Sequence, residues 1–135
     1  MSDSDKIENK PSVLLVDDDK FLLDMYSTKF TQGGFTVHAS LSVKNALDTL
    51  RGGYVPDAVV FDLIMPEETG FSLLEKVKAE KLAHGACLIA LSNQSDEAEK
   101  KRALDLGATH YIVKASMIPS EVVAAVGADI KKMKK

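Results

Sequence analysis

Apolar residues along the chain fall into short continuous runs that alternate with stretches where they recur every three or four positions. A continuous run of Val, Ile, Leu and Phe is typical of a strand that is covered on both faces, as in a parallel sheet. The runs predict strands at residues 13–16, 35–39, 58–61, 86–91 and 111–113. The run at 35–39 mixes polar and apolar residues, which indicates a strand at the edge of the sheet.

The stretches between the runs have the spacing of amphipathic helices. One apolar stripe extends from Phe21 to Phe30 and another from Val43 to Leu50, and a pair of glycines follows each of them. Such glycines commonly end helices. Three further helices are predicted, from about Phe71 to Leu82, from after the N-cap Ser95 to near Gly107, and from near Pro119 to Met133. The fourth helix has the thinnest apolar stripe, so we expect it to be the least firmly held.

Strand and helix alternate five times, and this order predicts a doubly wound α/β fold made of five βα units. We assign residues 12–133 to this domain, residues 1–11 to a flexible arm and residues 134–135 to the end of a basic tail. A length of 135 residues suits one domain. The apolar runs are much shorter than the roughly 20 residues that span a bilayer, so we expect no membrane segment.

Composition narrows the class of protein further. Cys87 is the single cysteine, so an internal disulfide is impossible and we expect a cytoplasmic location. The net charge is −3, but four lysines stand among the last five residues. Without them, 13 of the 17 basic residues remain against 20 acidic ones, a balance of −7. Such an acidic body does not suggest a nucleic-acid-binding protein, and we expect no nucleic-acid partner within this chain.

Polar side chains that can do chemistry follow four of the predicted strands. Three aspartates at 17–19 follow the first strand, Asp62 follows the third, Ser92 the fourth and Lys114 the fifth. In an open α/β sheet, ligands bind beyond the carboxyl ends of the strands. We therefore expect these side chains to meet at one edge of the sheet.

Carboxylates from neighbouring strands repel each other, and a hard divalent cation relieves that repulsion. Mg²⁺ prefers a few carboxylate or carbonyl oxygens and also binds phosphate oxygens. A carboxylate beside such an ion can attack phosphorus and form an acyl phosphate. The transferred group needs positive charge and a hydrogen-bond donor, and Lys114 and Ser92 suit these roles. The set predicts Mg²⁺-dependent phosphoryl chemistry.

The same residues resemble the response-regulator receiver domains of two-component signalling, over roughly residues 11–132. The resemblance lies in VLLVDDD at 13–19, VVFDLIMP at 59–66 with Gly70 behind it, LS at 91–92, and YIVK at 111–114. It is the ordered set, rather than any single motif, that is specific. The resemblance implies a flavodoxin-like fold with strand order 2-1-3-4-5 and helices on both faces of the sheet.

The resemblance also implies a role for each residue of the site. Asp62 would accept the phosphoryl group. Asp18 would bind Mg²⁺ directly and Asp17 more through water, with Asp62 and the backbone carbonyl of Ile64 as further ligands. Lys114 would pair with the phosphoryl group.

A switch is implied by two further residues. The Ser92 hydroxyl would bond to the phosphoryl group and shift, and Tyr111 would then turn inward. The face formed by the fourth helix, the fifth strand and the fifth helix would change its affinity for a downstream protein. The donor would be a sensor histidine kinase or a histidine phosphotransfer protein. Such a chain is a signalling phosphoacceptor rather than an enzyme, working alone or as a piece of a larger regulator.

One residue next to the site departs from the family pattern. The family has Pro after the lysine, joined by a cis peptide bond, whereas Ala115 follows Lys114 here. A cis bond before a residue other than proline costs about 2.5–4 kcal/mol. We predict that the Lys114–Ala115 bond is trans, or cis with visible strain. If the bond is trans, the structure has to show whether the Lys114 ammonium group still reaches the site of the phosphoryl group.

The same residues are also compatible with two other functions. Haloacid-dehalogenase-type phosphohydrolases use an Asp nucleophile in an Asp-x-Asp motif, then Ser or Thr, then Lys, with Mg²⁺, and Asp17-Asp18-Asp19, Ser92 and Lys114 occur in that order. That alternative lacks a later acidic pair at a strand end and leaves Asp62 unexplained. The other alternative is a receiver-like docking module that is not phosphorylated, which Ala115 keeps open.

Overall fold

The computed structural model describes residues 10–134, so most of the predicted arm and the last residue of the predicted tail lie outside the described residues. Within this range, strands and helices alternate. The strands are β1 (Ser12–Val16), β2 (Thr36–Ser40), β3 (Ala58–Asp62), β4 (Cys87–Ser92) and β5 (His110–Val113). The helices are α1 (Lys20–Gln32), α2 (Val43–Arg51), α3 (Gly70–Glu80), α4 (Glu97–Asp105) and α5 (Pro119–Met133). None of the helices in residues 10–134 is long and apolar enough to cross a membrane.

The strands form one parallel sheet in the order β2-β1-β3-β4-β5. The mixed strand β2 lies at an edge, as predicted. The chain moves outward from β1 to β2 and then returns to β3 on the other side of β1, which places the switch point between β1 and β3. The predicted fold class, a doubly wound flavodoxin-like sheet with helices on both faces, is confirmed.

Each face of the sheet has its own hydrophobic core, because successive residues of a strand point to opposite faces. Leu14 and Val16 pack on the side of α2 and α3, and Val13 and Leu15 pack on the side of α1 and α5. The central strands are therefore apolar along their length except at their ends, which is why their sequences read as continuous runs. Helix α4 buries Ala103 and leaves most of its residues exposed or half-buried, in agreement with its thin apolar stripe.

Two predicted helix ends were placed wrongly. Helix α4 begins after Asp96 rather than after Ser95, because the Asp96 carboxylate accepts a hydrogen bond from the backbone N–H of Glu99 at 3.0 Å. A carboxylate at this position also suits the positive end of the helix dipole. Helix α3 ends at Glu80, before the predicted Leu82, because Lys81 turns into the left-handed region with φ 55°.

Strand β5 leads directly into a short 3₁₀ turn at Lys114–Ser116. Residues 10–134 contain no cis peptide bond, so the Lys114–Ala115 bond is trans as predicted. The chain thus leaves β5 without the cis proline turn of the family pattern, and Lys114 is the first residue of the 3₁₀ turn.

Candidate functional site

Three carboxylates meet at the carboxyl ends of the neighbouring strands β1 and β3. Asp17 and Asp18 follow β1, and Asp62 is the last residue of β3. Each offers a carboxylate oxygen within 4.8 Å of the other two. Asp17 and Asp62 are 5% and 6% exposed, whereas Asp18 faces solvent. The structure therefore brings together the acidic residues that the sequence placed at one edge, and leaves one side of the cluster open to water.

The third aspartate after β1 has a different task. The Asp19 carboxylate caps α1 by accepting a hydrogen bond from the backbone N–H of Leu22 at 3.2 Å. The backbone N–H of Asp19 in turn donates to Asp17 Oδ1 at 2.9 Å. The backbone of Asp19 thus orients the Asp17 carboxylate, and the carboxylate of Asp19 itself caps the start of α1.

Lys114 brings positive charge to the carboxylates. Its Nζ lies 3.3 Å from Asp17 Oδ2 and 3.7 Å from Asp62 Oδ1. The side chain is only 13% exposed, so its ammonium group is held in a poorly solvated place by two opposite charges. The trans bond to Ala115 therefore leaves Lys114 within reach of both buried aspartates, which answers the question raised by the missing proline.

The environment of Asp62 makes its ionisation costly. The pKa of Asp62 is raised from 3.8 to about 6, chiefly by burial, with Lys114 opposing the increase and the charges of Asp17 and Asp18 adding to it. The backbone N–H of Leu63 also favours the charged form. Since this pKa lies below neutral pH, Asp62 carries its charge at pH 7, in a place where a nearby cation would be strongly favourable.

The segment after Asp62 packs closely against the start of α3. The backbone N–H of Gly70 donates to the carbonyl oxygen of Leu63 at 2.8 Å. A Cβ at position 70 would lie 2.6 Å from the carbonyl oxygen of Asp62 and 2.9 Å from Leu63 Cα. Glycine is therefore required for α3 to approach the backbone that carries Asp62. The sequence showed Gly70 only as part of a motif; its packing role comes from the structure.

Ser92 and Tyr111 share two hydrogen-bond acceptors. The Ser92 hydroxyl, which has one proton to donate, lies 2.7 Å from the carbonyl oxygen of Gln94 and 3.2 Å from Glu99 Oε1. The Tyr111 hydroxyl reaches the same two oxygens at 3.1 and 3.4 Å. The sequence predicted Ser92 and Tyr111 as a pair but missed Glu99. The one sequence feature that could have indicated Glu99 is its position three residues after Asp96 at the start of a helix, the spacing of a capping box.

The oxygen atoms at this edge suit a hard divalent cation. Asp17, Asp18 and Asp62 supply carboxylates, and the open side at Asp18 leaves room for the waters that Mg²⁺ keeps. Ile64, whose backbone carbonyl was the fourth predicted ligand, lies two residues beyond Asp62 with its side chain 58% exposed. Across residues 10–134, no other group of three or more His, Cys, Asp or Glu side chains lies close enough to share a metal ion.

Cys87 has no part in this site. It begins β4, at the opposite end of the strand from Ser92, and is fully buried. Burial raises the pKa of the Cys87 thiol to about 11, and the charges of Asp129 and Asp57 add to the increase. A thiol in this environment is a packing group rather than a nucleophile.

Comparison with known proteins agrees with this geometry. The family model for the response regulator receiver domain matches residues 13–126, which is most of the chain. The response regulator SaeR of Staphylococcus aureus is 32% identical over 123 residues, covering 91% of this chain and 52% of that protein. The chain thus spans about half the length of the curated relatives it matches.

Solved structures show the same architecture. The receiver domain of the Francisella response regulator 1452 is 28% identical, with a TM-score of 0.81 over 91% of this chain and 98% of that one. A CheY-like receiver domain protein from Methanospirillum hungatei is 22% identical, with a TM-score of 0.83 over 93% of this chain and 98% of that one. The second likeness supports the fold alone.

Proposed function

The chain belongs to the family of response regulator receiver domains, and from this premise we propose that Asp62 accepts a phosphoryl group in a Mg²⁺-dependent reaction. One observation carries the proposal. Asp62 is a buried carboxylate at the end of β3, with carboxylate oxygens of Asp17 and Asp18 within 4.8 Å and the ammonium group of Lys114 at 3.7 Å.

Asp62 supplies the nucleophile. With a pKa of about 6 it is ionised near neutral pH, so a carboxylate oxygen is free to attack phosphorus. A bond forms between that oxygen and phosphorus while the bond from phosphorus to the donor breaks, and the donor keeps the electron pair. From a phosphohistidine, the leaving group is the imidazole. The product is an acyl phosphate on Asp62.

The neighbouring side chains position the transferred group. Lys114, already between Asp17 and Asp62, would pair with the phosphoryl oxygens as negative charge gathers on them. Asp18 would hold Mg²⁺ directly and Asp17 more through water, with Asp62 and the carbonyl of Ile64 completing the ligands. The bound ion would neutralise charge on the carboxylates and the phosphoryl oxygens.

Exposed apolar side chains offer a docking surface for the donor beside Asp62. Phe21 is 78% exposed, Ile64 58% and Ile118 62%. They belong to the segments that follow β1, β3 and β5, so they lie at the same edge of the sheet as the acceptor. Apolar side chains exposed at the edge that carries the proposed acceptor suit contact with a partner protein. The proposed donor is a cytoplasmic histidine kinase or histidine phosphotransfer protein.

The proposed output surface is the face formed by α4, β5 and α5. Tyr111 of β5 is bonded to Glu99 of α4, so a shift of Ser92 at the phosphorylation site would reach this face through shared acceptors. A downstream protein that contacts the face would then distinguish the two states of Asp62.

Intact-mass spectrometry tests the proposal. The protein is incubated with acetyl phosphate in Mg²⁺ or in EDTA, as the wild type and as Asp62→Asn. We expect one added phosphoryl group in the wild type with Mg²⁺, none in EDTA, and none in Asp62→Asn. Asp24→Asn is the matched control, since Asp24 is an exposed aspartate paired with Lys20 on α1, and it should be modified like the wild type.

The other outcomes separate the alternatives. An adduct that persists in Asp62→Asn would move the nucleophile to Asp17 or Asp18 and, with turnover of a generic phosphate ester, would favour a phosphohydrolase. No adduct in folded protein, whether the donor is acetyl phosphate or a phosphorylated kinase, would favour a docking module that is not phosphorylated.

A further inference from the structure

Glu99 connects both hydroxyl groups of the proposed switch to helix α4. Its Oε1 accepts hydrogen bonds from Ser92 at 3.2 Å and from Tyr111 at 3.4 Å. The backbone N–H of Glu99 is fixed by the N-cap Asp96 at 3.0 Å, so the residue has a defined place in the first turn of α4. One half-buried carboxylate thus joins the end of β4, strand β5 and α4.

We propose that Glu99 is a positioning residue that holds Ser92 away from the phosphoryl group and sets how readily the switch engages. The inference rests on the proposed phosphorylation of Asp62 and adds to it the residue that opposes the switch. In the register of the sheet, Asp62 pairs with Leu91, so Ser92 stands one position beyond the residue opposite the acceptor.

The physical reason is competition for one proton. A serine hydroxyl carries a single donor, which is already directed at Gln94 and Glu99. A new bond from Ser92 to a phosphoryl oxygen has to replace these bonds. A hydrogen bond to an ionised carboxylate is about twice as strong as one between neutral groups. Glu99, at 3.2 Å, therefore adds its charge to the restraint that the closer carbonyl of Gln94, at 2.7 Å, already places on Ser92.

The same bonds make α4 sensitive to the state of Ser92. Helix α4 buries Ala103 and places the Arg102 guanidinium 4.1 Å from the centre of the Phe71 ring, while most of its other side chains are exposed. An element with few buried contacts opens at low free energy. Once Ser92 has turned to the phosphoryl group, Glu99 retains Tyr111 alone, and the first turn of α4 is held by one bond fewer.

Beryllium trifluoride mimics a carboxyl-bound phosphoryl group. Its binding measures the restraint of Glu99 on Ser92 without a phosphoryl-transfer reaction. The apparent dissociation constant is obtained in Mg²⁺ from the ¹⁹F NMR signal of the bound anion. Glu99→Gln keeps the shape but loses the charge, and should bind the anion about fivefold more tightly, which corresponds to about 1 kcal/mol. Glu97→Gln is the matched control on the same helix turn, because Glu97 is exposed and lies outside the hydrogen-bond network.

The Ser92→Ala background separates a restraint on Ser92 from simple charge repulsion. If Glu99 acts through the Ser92 hydroxyl, Glu99→Gln should change the affinity by less than about twofold once Ser92 is alanine. A fivefold gain that survives in Ser92→Ala would mean that Glu99 only repels the anion, and would overturn the inference.

The remaining outcomes are equally decisive. Equal affinities in the wild type, Glu97→Gln and Glu99→Gln would overturn the role of Glu99 while leaving the phosphorylation of Asp62 intact. No bound anion in the wild type would count against the proposed function itself, and the inference would fall with it.

Discussion

Replacing Asp62 with Asn should stabilise the metal-free protein at neutral pH and should do so much less in acid. Burial raises the pKa of Asp62 from 3.8 to about 6, with Lys114 opposing and the carboxylates of Asp17 and Asp18 adding to the increase. Between these two pKa values, native Asp62 holds a proton that the unfolded chain has released. Folding stability contributed by this group therefore falls as the pH rises through that window.

The magnitude follows from the size of the shift. A difference of about 2.2 between the two pKa values corresponds to about 3 kcal/mol. Nearly all of this cost is present above about pH 7, and only a small part of it remains at pH 4. Solvent screens the group little, because Asp62 is 6% exposed. Asp62→Asn removes the ionisation, so its gain in the free energy of unfolding should be about 2 kcal/mol larger at neutral pH than at pH 4.

Urea unfolding followed by circular dichroism, in EDTA, measures this difference. The comparison of two pH values cancels effects that do not depend on pH, such as the different contact of Asn with Lys114. Asp24→Asn, which removes an exposed carboxylate from an ion pair with Lys20, should change the stability by less than about 0.5 kcal/mol. A gain for Asp62→Asn that is the same at both pH values, or larger in acid, would refute the reasoning.

Three further tests address separate parts of the structure. In the same urea assay, Gly70→Ala should lower the free energy of unfolding by roughly 2 kcal/mol, because its Cβ would lie 2.6 Å from a carbonyl oxygen. Gly127→Ala, whose Cβ would have its nearest neighbour at 3.9 Å, should raise the free energy of unfolding by about 0.5–1 kcal/mol. The buried Cys87 thiol, with its pKa raised to about 11, should react with a disulfide reagent only after unfolding in guanidinium; reaction in the native protein would contradict its place in the core. Mg²⁺ should raise the Tm of the wild type more than that of Asp18→Asn, and an equal rise would count against Asp18 as a ligand.

The order of the elements and the edge that carries the site could be predicted because both depend on local patterns. Strands β1 and β3 are covered on both faces, so they appear in the sequence as continuous apolar runs that end at Asp17 and Asp62. Parallel pairing then brings the strand ends together, whatever the details of the helices. The mixed pattern of β2 likewise marked it as an edge strand.

Contacts between elements that are distant in sequence could not be predicted in this way. Ser95 and Asp96 are both good N-cap residues, and only the structure shows that the Asp96 carboxylate accepts the hydrogen bond from the backbone N–H of Glu99. Glu99 meets Tyr111 because α4 lies beside β5, which no periodicity reveals. Lys114 opens a 3₁₀ turn after β5 and lies 3.7 Å from Asp62 with a trans bond to Ala115, an arrangement to which the family pattern gave no guide.

Chemical trapping of the phosphorylated side chain tests the central proposal most directly. Hydride reduction converts an acyl phosphate on aspartate to homoserine and leaves the other aspartates unchanged. The protein is phosphorylated with a small donor in Mg²⁺, reduced, digested and sequenced by tandem mass spectrometry. We predict homoserine at position 62, with unmodified Asp17 and Asp18. Homoserine at 17 or 18, or none in any peptide of protein whose intact mass shows a phosphoryl group, would contradict the assignment of Asp62 as the acceptor.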